Sequence, residues 1–110
     1  MKVTGPLARI LGLIVNLRQA RGDERWPDGT CQRIYGVHAR NARVEAGSAT
    51  FNNGLTWSHI LKEAVFSALE SEDPAATREC LLTVATIAVG WIERIDRREE
   101  EHRGDRNPSE

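Results

Sequence analysis

The stretch Pro74–Arg98 limits the possible folds more than any other part of the chain. Asp73 is a favourable N-cap and Pro74 a favourable first helical residue, so the start of a helix is well defined there. The apolar residues that follow form two adjacent stripes at helical spacing, Leu81, Val84, Ala85, Ala88, Ile92 and Ile95 in one and Cys80, Ile87 and Trp91 in the other. So wide an apolar surface predicts contact with more than one neighbouring helix, and a second subunit is one source of such a neighbour.

Three further segments have helical patterns. We predict helices over Pro6–Arg21, Cys31–Ala46 and Thr56–Ser71, with Thr56 as the N-cap of the last. Loops with glycine and asparagine turn signals separate the segments. Together with the helix that begins at Pro74, they predict an all-α fold, a four-helix bundle.

The length of the chain, 110 residues, is enough for one domain. We predict a single helical domain over residues 1–98 and a charged, disordered tail over residues 99–110, because the tail contains no apolar residue. A chain this short buries only a modest fraction of its surface. We therefore expect dimerisation to complete the core.

Charge and hydropathy argue against several classes of function. The net charge is −1, so no basic excess exists to neutralise a run of phosphates, and general nucleic-acid binding is not expected. The apolar run Cys80–Ile92 is shorter than the roughly 20 residues that cross a bilayer. Cys31 and Cys80 form no metal-binding pair and are expected to be reduced thiols. These features predict a cytoplasmic protein that does not enter a membrane.

Three motifs follow one another along the chain. In the first motif, Trp26 precedes Pro27-Asp28-Gly29-Thr30. The second motif is Gly54-Leu55-Thr56-Trp57-Ser58-His59-Ile60-Leu61-Lys62-Glu63. The third is Val84–Arg98, the last part of the helix that begins at Pro74. Their order over roughly Leu17–Arg98 resembles the short MazG-like proteins of actinobacteria and their phages. The resemblance implies the all-α nucleoside-triphosphate pyrophosphohydrolase fold, which cleaves nucleoside triphosphates to monophosphates and pyrophosphate.

The diagnostic signature of that family is E-E-x-x-E on one helix and E-x-x-D on the next. Carboxylates on two facing helices can surround one or two Mg²⁺ or Mn²⁺ ions, which are hard cations that take oxygen ligands. Such ions polarise the phosphate and lower the pKa of an attacking water. The resemblance therefore implies a magnesium or manganese cofactor for any active member.

This chain departs from the signature at four of its five positions. The resemblance puts those positions on Glu63, Ala64, Ser67, Cys80 and Thr83. Only Glu63 keeps a carboxylate. Glu70 and Glu79 are the candidate substitutes, although Glu70 lies about 10 Å along the helix axis from Glu63 and Glu79 about 100° around the helix from Cys80. The alternative interpretation is that all three glutamates are solvated surface acids.

Two other residues are candidates for contact with a nucleotide. Trp26 lies in a polar loop, where an aromatic ring can stack on a nucleobase, and Lys62 could meet a phosphate. His59 precedes an apolar stripe and has no second ligand at metal spacing, so it is interpreted as a surface or capping residue.

These observations predict a MazG-like homologue with a depleted magnesium motif, weakly active or inactive, that can bind a nucleotide. Two alternatives stay open. The first is an active pyrophosphohydrolase that uses Glu63 with Glu70 and Glu79, and the second is a helical protein-interaction or regulatory module. A homo-oligomer, either a dimer or a larger assembly, is expected in each case.

Overall fold

The computed structural model describes residues 3, 5–27, 29–30 and 32–106. It contains four helices, α1 (Gly5–Arg21), α2 (Gln32–Phe51), α3 (Trp57–Glu70) and α4 (Pro74–Arg106). The described ranges contain no strand, and the all-α class is confirmed. The predicted thiol state of Cys31 and the turn at Asp28 concern residues outside these ranges.

The caps of α3 and α4 lie where the sequence predicts them. Asp73 Oδ2 accepts a hydrogen bond from the backbone amide of Ala76 at 3.3 Å, in the first turn of α4. Thr56 is the N-cap of α3, and its backbone amide donates to His59 Nδ1 at 3.1 Å. His59 thus takes the place that Glu or Gln has in a capping box, which confirms its interpretation as a capping residue.

Two helices continue beyond their predicted ends. α2 passes through Gly47 and ends at Phe51, where Asn53 adopts a left-handed conformation with φ of 58°. The amide of Gly54 donates to the carbonyl of Ala49 at 2.7 Å, and the amide of Asn53 to that of Thr50 at 3.2 Å. These two bonds form a Schellman motif, so the asparagine turn and not the glycine ends the helix.

α4 extends to Arg106, whereas the sequence predicts a disordered tail from Glu99. Glutamate and arginine are good helix formers, and no proline occurs between Glu99 and Pro108. The lack of apolar residues removes a packing face but does not prevent a helix from continuing. Residues 107–110 lie outside the described part of the chain.

Residue contacts divide the chain into two compact units. The first combines the N-terminal segment up to Trp26 with the chain from Val89 onward, and thus holds α1 and the second half of α4. The second unit is Pro27–Ala88, which holds α2, α3 and the first half of α4. The single-domain prediction for residues 1–98 stays a prediction.

α2 and α3 pack against each other through small side chains. The buried residues of this seam are Ala39, Ala42 and Ala46 on α2 and Ala68 on α3. The three alanines of α2 are three and four positions apart, so they lie on one helix face. Beside the seam, the rings of His38 and Phe66 stack with centroids 5.2 Å apart. Methyl groups at the contact let the two backbones approach closely.

Large apolar side chains are exposed on α1 and α4. On α1, Ile10 is buried, but Leu17 is 67% exposed. On α4, Leu81 is 54% and Leu82 48% exposed. Contiguous exposed apolar surface is typical of interaction sites, whereas scattered single residues are normal.

Within the described residues, α4 is long and apolar enough to span a membrane, judged by length and composition alone. An 18-residue window within Pro74–Arg103 has a mean hydropathy of 1.3, and none of it is buried in the single chain. The prediction that the apolar run is too short to cross a bilayer is based on Cys80–Ile92 alone. Flanking residues extend the apolar window beyond this run. A helix at the core of a soluble protein can have the same length and apolar composition, so these two properties of α4 suit contact with lipid and contact with protein equally.

Candidate functional site

The five signature positions line one cavity within the unit Pro27–Ala88. The cavity has a volume of about 600 Å³ and lies between α2, α3 and the first half of α4. α3 contributes Glu63, Ala64 and Ser67 to the lining, while α4 contributes Cys80 and Thr83. Two helices that are separate in sequence thus present these five side chains to the same space.

Local helix geometry explains why these residues share the cavity. Glu63 and Ser67 are four positions apart on α3, and Cys80 and Thr83 are three positions apart on α4, so each pair lies on one helix face. The caps described above fix where α3 and α4 begin. Gly47 of α2 also lines the cavity, and a Cβ added there would meet no atom within 4 Å. The space beside Gly47 is accordingly empty of protein atoms from the described part of the chain.

The donor atoms of the lining are mostly neutral. Glu63 is its one carboxylate among the described residues, accompanied by hydroxyl groups and the Cys80 thiol. The Thr83 hydroxyl donates to the carbonyl of Glu79 at 3.2 Å, and the Thr50 hydroxyl donates to the carbonyl of Ala46 at 2.8 Å. Both threonine hydroxyl protons are thus directed at helix backbone, so these two side chains offer a ligand only their oxygen lone pairs.

This donor set does not fit the two-ion site that the family resemblance implies. Mg²⁺ requires several hard oxygen ligands in octahedral geometry, and carboxylates normally supply the charge. No group of three His, Cys, Asp or Glu side chains among the described residues is arranged to hold a metal ion. One carboxylate would compensate only half of the charge of a divalent cation, and the neutral hydroxyls would compensate none of it.

No protein-family model, curated protein or solved structure matches this chain. The MazG-like interpretation therefore rests on the motifs of the chain and on the cavity that their residues line.

The two candidate substitute ligands lie elsewhere. Glu70 does not line the cavity in the described structure, and its carboxylate instead forms an ion pair with Arg43. Glu79 is 74% exposed and has Arg78 Nη1 at 3.6 Å. The surface-acid interpretation therefore describes Glu79 well. For Glu70 the structure shows a specific partner that the sequence did not indicate.

Arg43 is the charged lining residue that sequence reasoning missed. It lies on α2 with Ala46, Gly47 and Thr50, which follow it at intervals of three, four and seven positions and also line the cavity. That spacing is visible in the sequence as a stripe of small and polar residues. The stripe was not recognisable as a cavity wall because the family signature lies entirely on the following two helices.

The two predicted nucleotide contacts are not among the described lining residues. The Lys62 ammonium lies 2.8 Å from Glu45 Oε1, and this hydrogen bond and the positive charge lower the pKa of the Glu45 carboxyl. Lys62 therefore links α3 to α2. Trp26 belongs to the other compact unit and is 79% exposed, in the loop after α1.

Proposed function

We propose that this chain is a MazG-like homologue in which the metal-binding cavity is retained and the metal-binding charge is lost. The observation that supports the proposal most is the shared cavity of Glu63, Ala64, Ser67, Cys80 and Thr83. Its volume, about 600 Å³, is in the usual range for small-molecule sites. We infer a nucleotide-binding protein with weak pyrophosphohydrolase activity or none.

The loss of charge has a physical consequence for ligand binding. A cavity lined by five carboxylates repels phosphate unless a cation is bound first. Here the lining carries one carboxylate and one guanidinium, Glu63 and Arg43. A phosphorylated ligand would therefore meet no net negative charge from the described lining. We therefore expect a nucleotide to bind without a divalent ion, whereas cleavage of the nucleotide would require one.

Catalytic activity can be tested with a panel of canonical and modified nucleoside triphosphates in the presence of Mg²⁺ or Mn²⁺. Release of monophosphate and pyrophosphate would be followed for the wild type, for Glu63→Gln, and for Glu79→Gln as a matched control on an exposed carboxylate. We expect turnover near background in all three. Turnover that Glu63→Gln abolishes and Glu79→Gln retains would instead establish an active enzyme.

Metal binding provides an independent test. Titration calorimetry with Mg²⁺ or Mn²⁺ should show no binding in the micromolar range, because the described lining offers one carboxylate. Micromolar affinity that requires Glu63 would contradict a depleted site and would favour the active alternative.

We also propose a homo-oligomer, a dimer or a larger assembly, that covers the apolar side chains of α4. The half-exposed Leu81 and Leu82 and the unburied apolar window support this proposal. Light scattering should give a molar mass that is a multiple of the chain mass, and Leu82→Glu should reduce it. A wild-type monomer at working concentration would contradict the proposal.

The helical interaction module remains the second candidate function, because the same apolar surface would suit a different protein. It predicts a folded chain without nucleotide affinity.

For either function we propose a cytoplasmic protein whose α4 is covered by protein. Recovery of the wild type in the membrane fraction, with release only by detergent, would contradict that location.

A further inference from the structure

We propose that a basic groove on α2 binds the phosphate groups of a small ligand, either free pyrophosphate or the phosphate tail of a nucleotide. The groove has a volume of about 330 Å³. Its charged and polar lining consists of Gln32, Arg33, Arg40, Arg43 and Glu70. All of these residues belong to the unit Pro27–Ala88.

The three arginines of the groove lie along one face of α2. Arg40 and Arg43 follow Arg33 by seven and ten positions, which places all three within a sector of about 80° and a length of about 15 Å. Gly36 lies in the same sector and also lines the groove. With no side chain at that position, a ligand can approach the helix between the flanking guanidinium groups.

The charges of the groove are unbalanced. Three guanidinium groups face one carboxylate, that of Glu70. Glu70 pairs with Arg43, and the described residues offer no carboxylate within ion-pair distance of Arg33 or Arg40. Guanidinium groups present paired N–H donors that match phosphate oxygens, so a row of three arginines with one carboxylate among its described partners is chemically suited to a phosphate chain.

Glu70 shows that the groove already accommodates an anionic group. Its Oε1 atom accepts a hydrogen bond from Arg43, and its Oε2 atom lies 3.7 Å from the position that a Cβ on Gly36 would occupy. The Glu70 side chain is 22% exposed, against 48% for Arg43. A carboxylate from α3 therefore occupies the place beside Gly36 that a phosphate would take, and an incoming phosphate would compete with it for Arg43.

Arg43 connects this groove to the cavity of the signature residues, because it lines both. A nucleotide with its phosphates in the groove could extend past Arg43 into the cavity. That extension rests on the proposed function, whereas phosphate binding in the groove does not. Arginine side chains would then supply the positive charge that metal ions supply in the implied family.

The test is titration calorimetry of the full-length chain with sodium pyrophosphate in low salt and EDTA. The groove variant is Arg33→Gln/Arg40→Gln, and the control is Arg97→Gln/Arg98→Gln, which removes the same charge from exposed positions in the other unit. Because each lost charge-assisted hydrogen bond weakens binding about tenfold, we expect at least that loss in the groove variant. The control should bind as the wild type does.

Glu70→Gln should change the affinity for pyrophosphate in the opposite direction to the groove variant. Removal of the competing carboxylate should tighten pyrophosphate binding several-fold, although the variant loses its ion pair with Arg43. A purely structural role of Glu70 would weaken binding or leave it unchanged, and either result would overturn its assignment as an internal competitor. Circular dichroism of each variant would establish that it is folded.

Comparison of ligands separates the two sources of phosphate. A nucleoside triphosphate that binds more tightly than pyrophosphate, and whose additional affinity disappears when Ala64→Trp fills the cavity, would support a ligand that spans both spaces. Equal affinity for the two would support the groove and contradict the nucleotide part of the proposed function. The groove itself would be refuted by absent pyrophosphate binding, by wild-type affinity in the groove variant, or by an equal loss of affinity in the control.

Discussion

The neutral lining of the cavity should stabilise the metal-free fold, and Ser67→Glu tests this directly. The substitution places a second carboxylate four positions from Glu63, on the same wall of the cavity. Two unit charges about 6 Å apart repel by roughly 0.7 kcal/mol in water and roughly 3 kcal/mol at an effective dielectric constant near 20. Arg43 also lines the cavity and offsets part of the repulsion. We therefore expect a loss of about 1 kcal/mol in the free energy of unfolding.

Urea unfolding followed by circular dichroism at neutral pH in EDTA would measure this loss. Ser67→Gln is the matched control, since it adds the same volume without the charge. The difference between the two variants should disappear at low pH, where the added carboxylate is protonated, and should shrink when Mg²⁺ is added. Equal unfolding free energies for the two variants at neutral pH would refute the electrostatic reasoning.

Other substitutions test the helix caps and an inter-helix pair. Asp73→Ala should lower the free energy of unfolding by about 1 kcal/mol, since the first turn of α4 loses its acceptor, while Asp73→Asn should retain most of it in thermal melts. His59→Leu should destabilise the chain more than His59→Gln, which can still accept from the Thr56 amide. Lys62→Met should reduce stability at neutral pH. Because the hydrogen bond from Lys62 lowers the pKa of Glu45, this difference should be lost as the pH falls through that lowered pKa and Glu45 is protonated.

The existence and the starts of the helices could be predicted because their signals are local. Asp73-Pro74 and Thr56 act through hydrogen bonds within one turn of the chain, and the structure confirms both. The C-terminal ends of α2 and α4 were harder to predict from the sequence. Gly47 costs a helix little enough that α2 continues through it, and the Schellman motif at Asn53 provides the actual end.

The candidate site was predictable only where it follows from spacing along one helix. The family signature indicated which residues of α3 and α4 share a face, and these residues do line one cavity. The partner of Glu70 was not predictable. The ion pair of Glu70 with Arg43 depends on how α2 packs on α3, and no local pattern encodes that distance.

The alanine seam between α2 and α3 acts as a fixed spacer. Alanine has no side-chain rotamers, so Ala39, Ala42 and Ala46 cannot absorb a strain by rearrangement, and an added carbon would push the helices apart. The small side chains of the seam therefore limit how far α2, which carries Arg43, can move relative to α3, which carries Glu63. Ala46 belongs to both the seam and the cavity lining, whereas Glu63, Ser67, Cys80 and Thr83 belong to the lining alone. Replacement of one of these four residues can therefore change what the cavity binds without changing the seam.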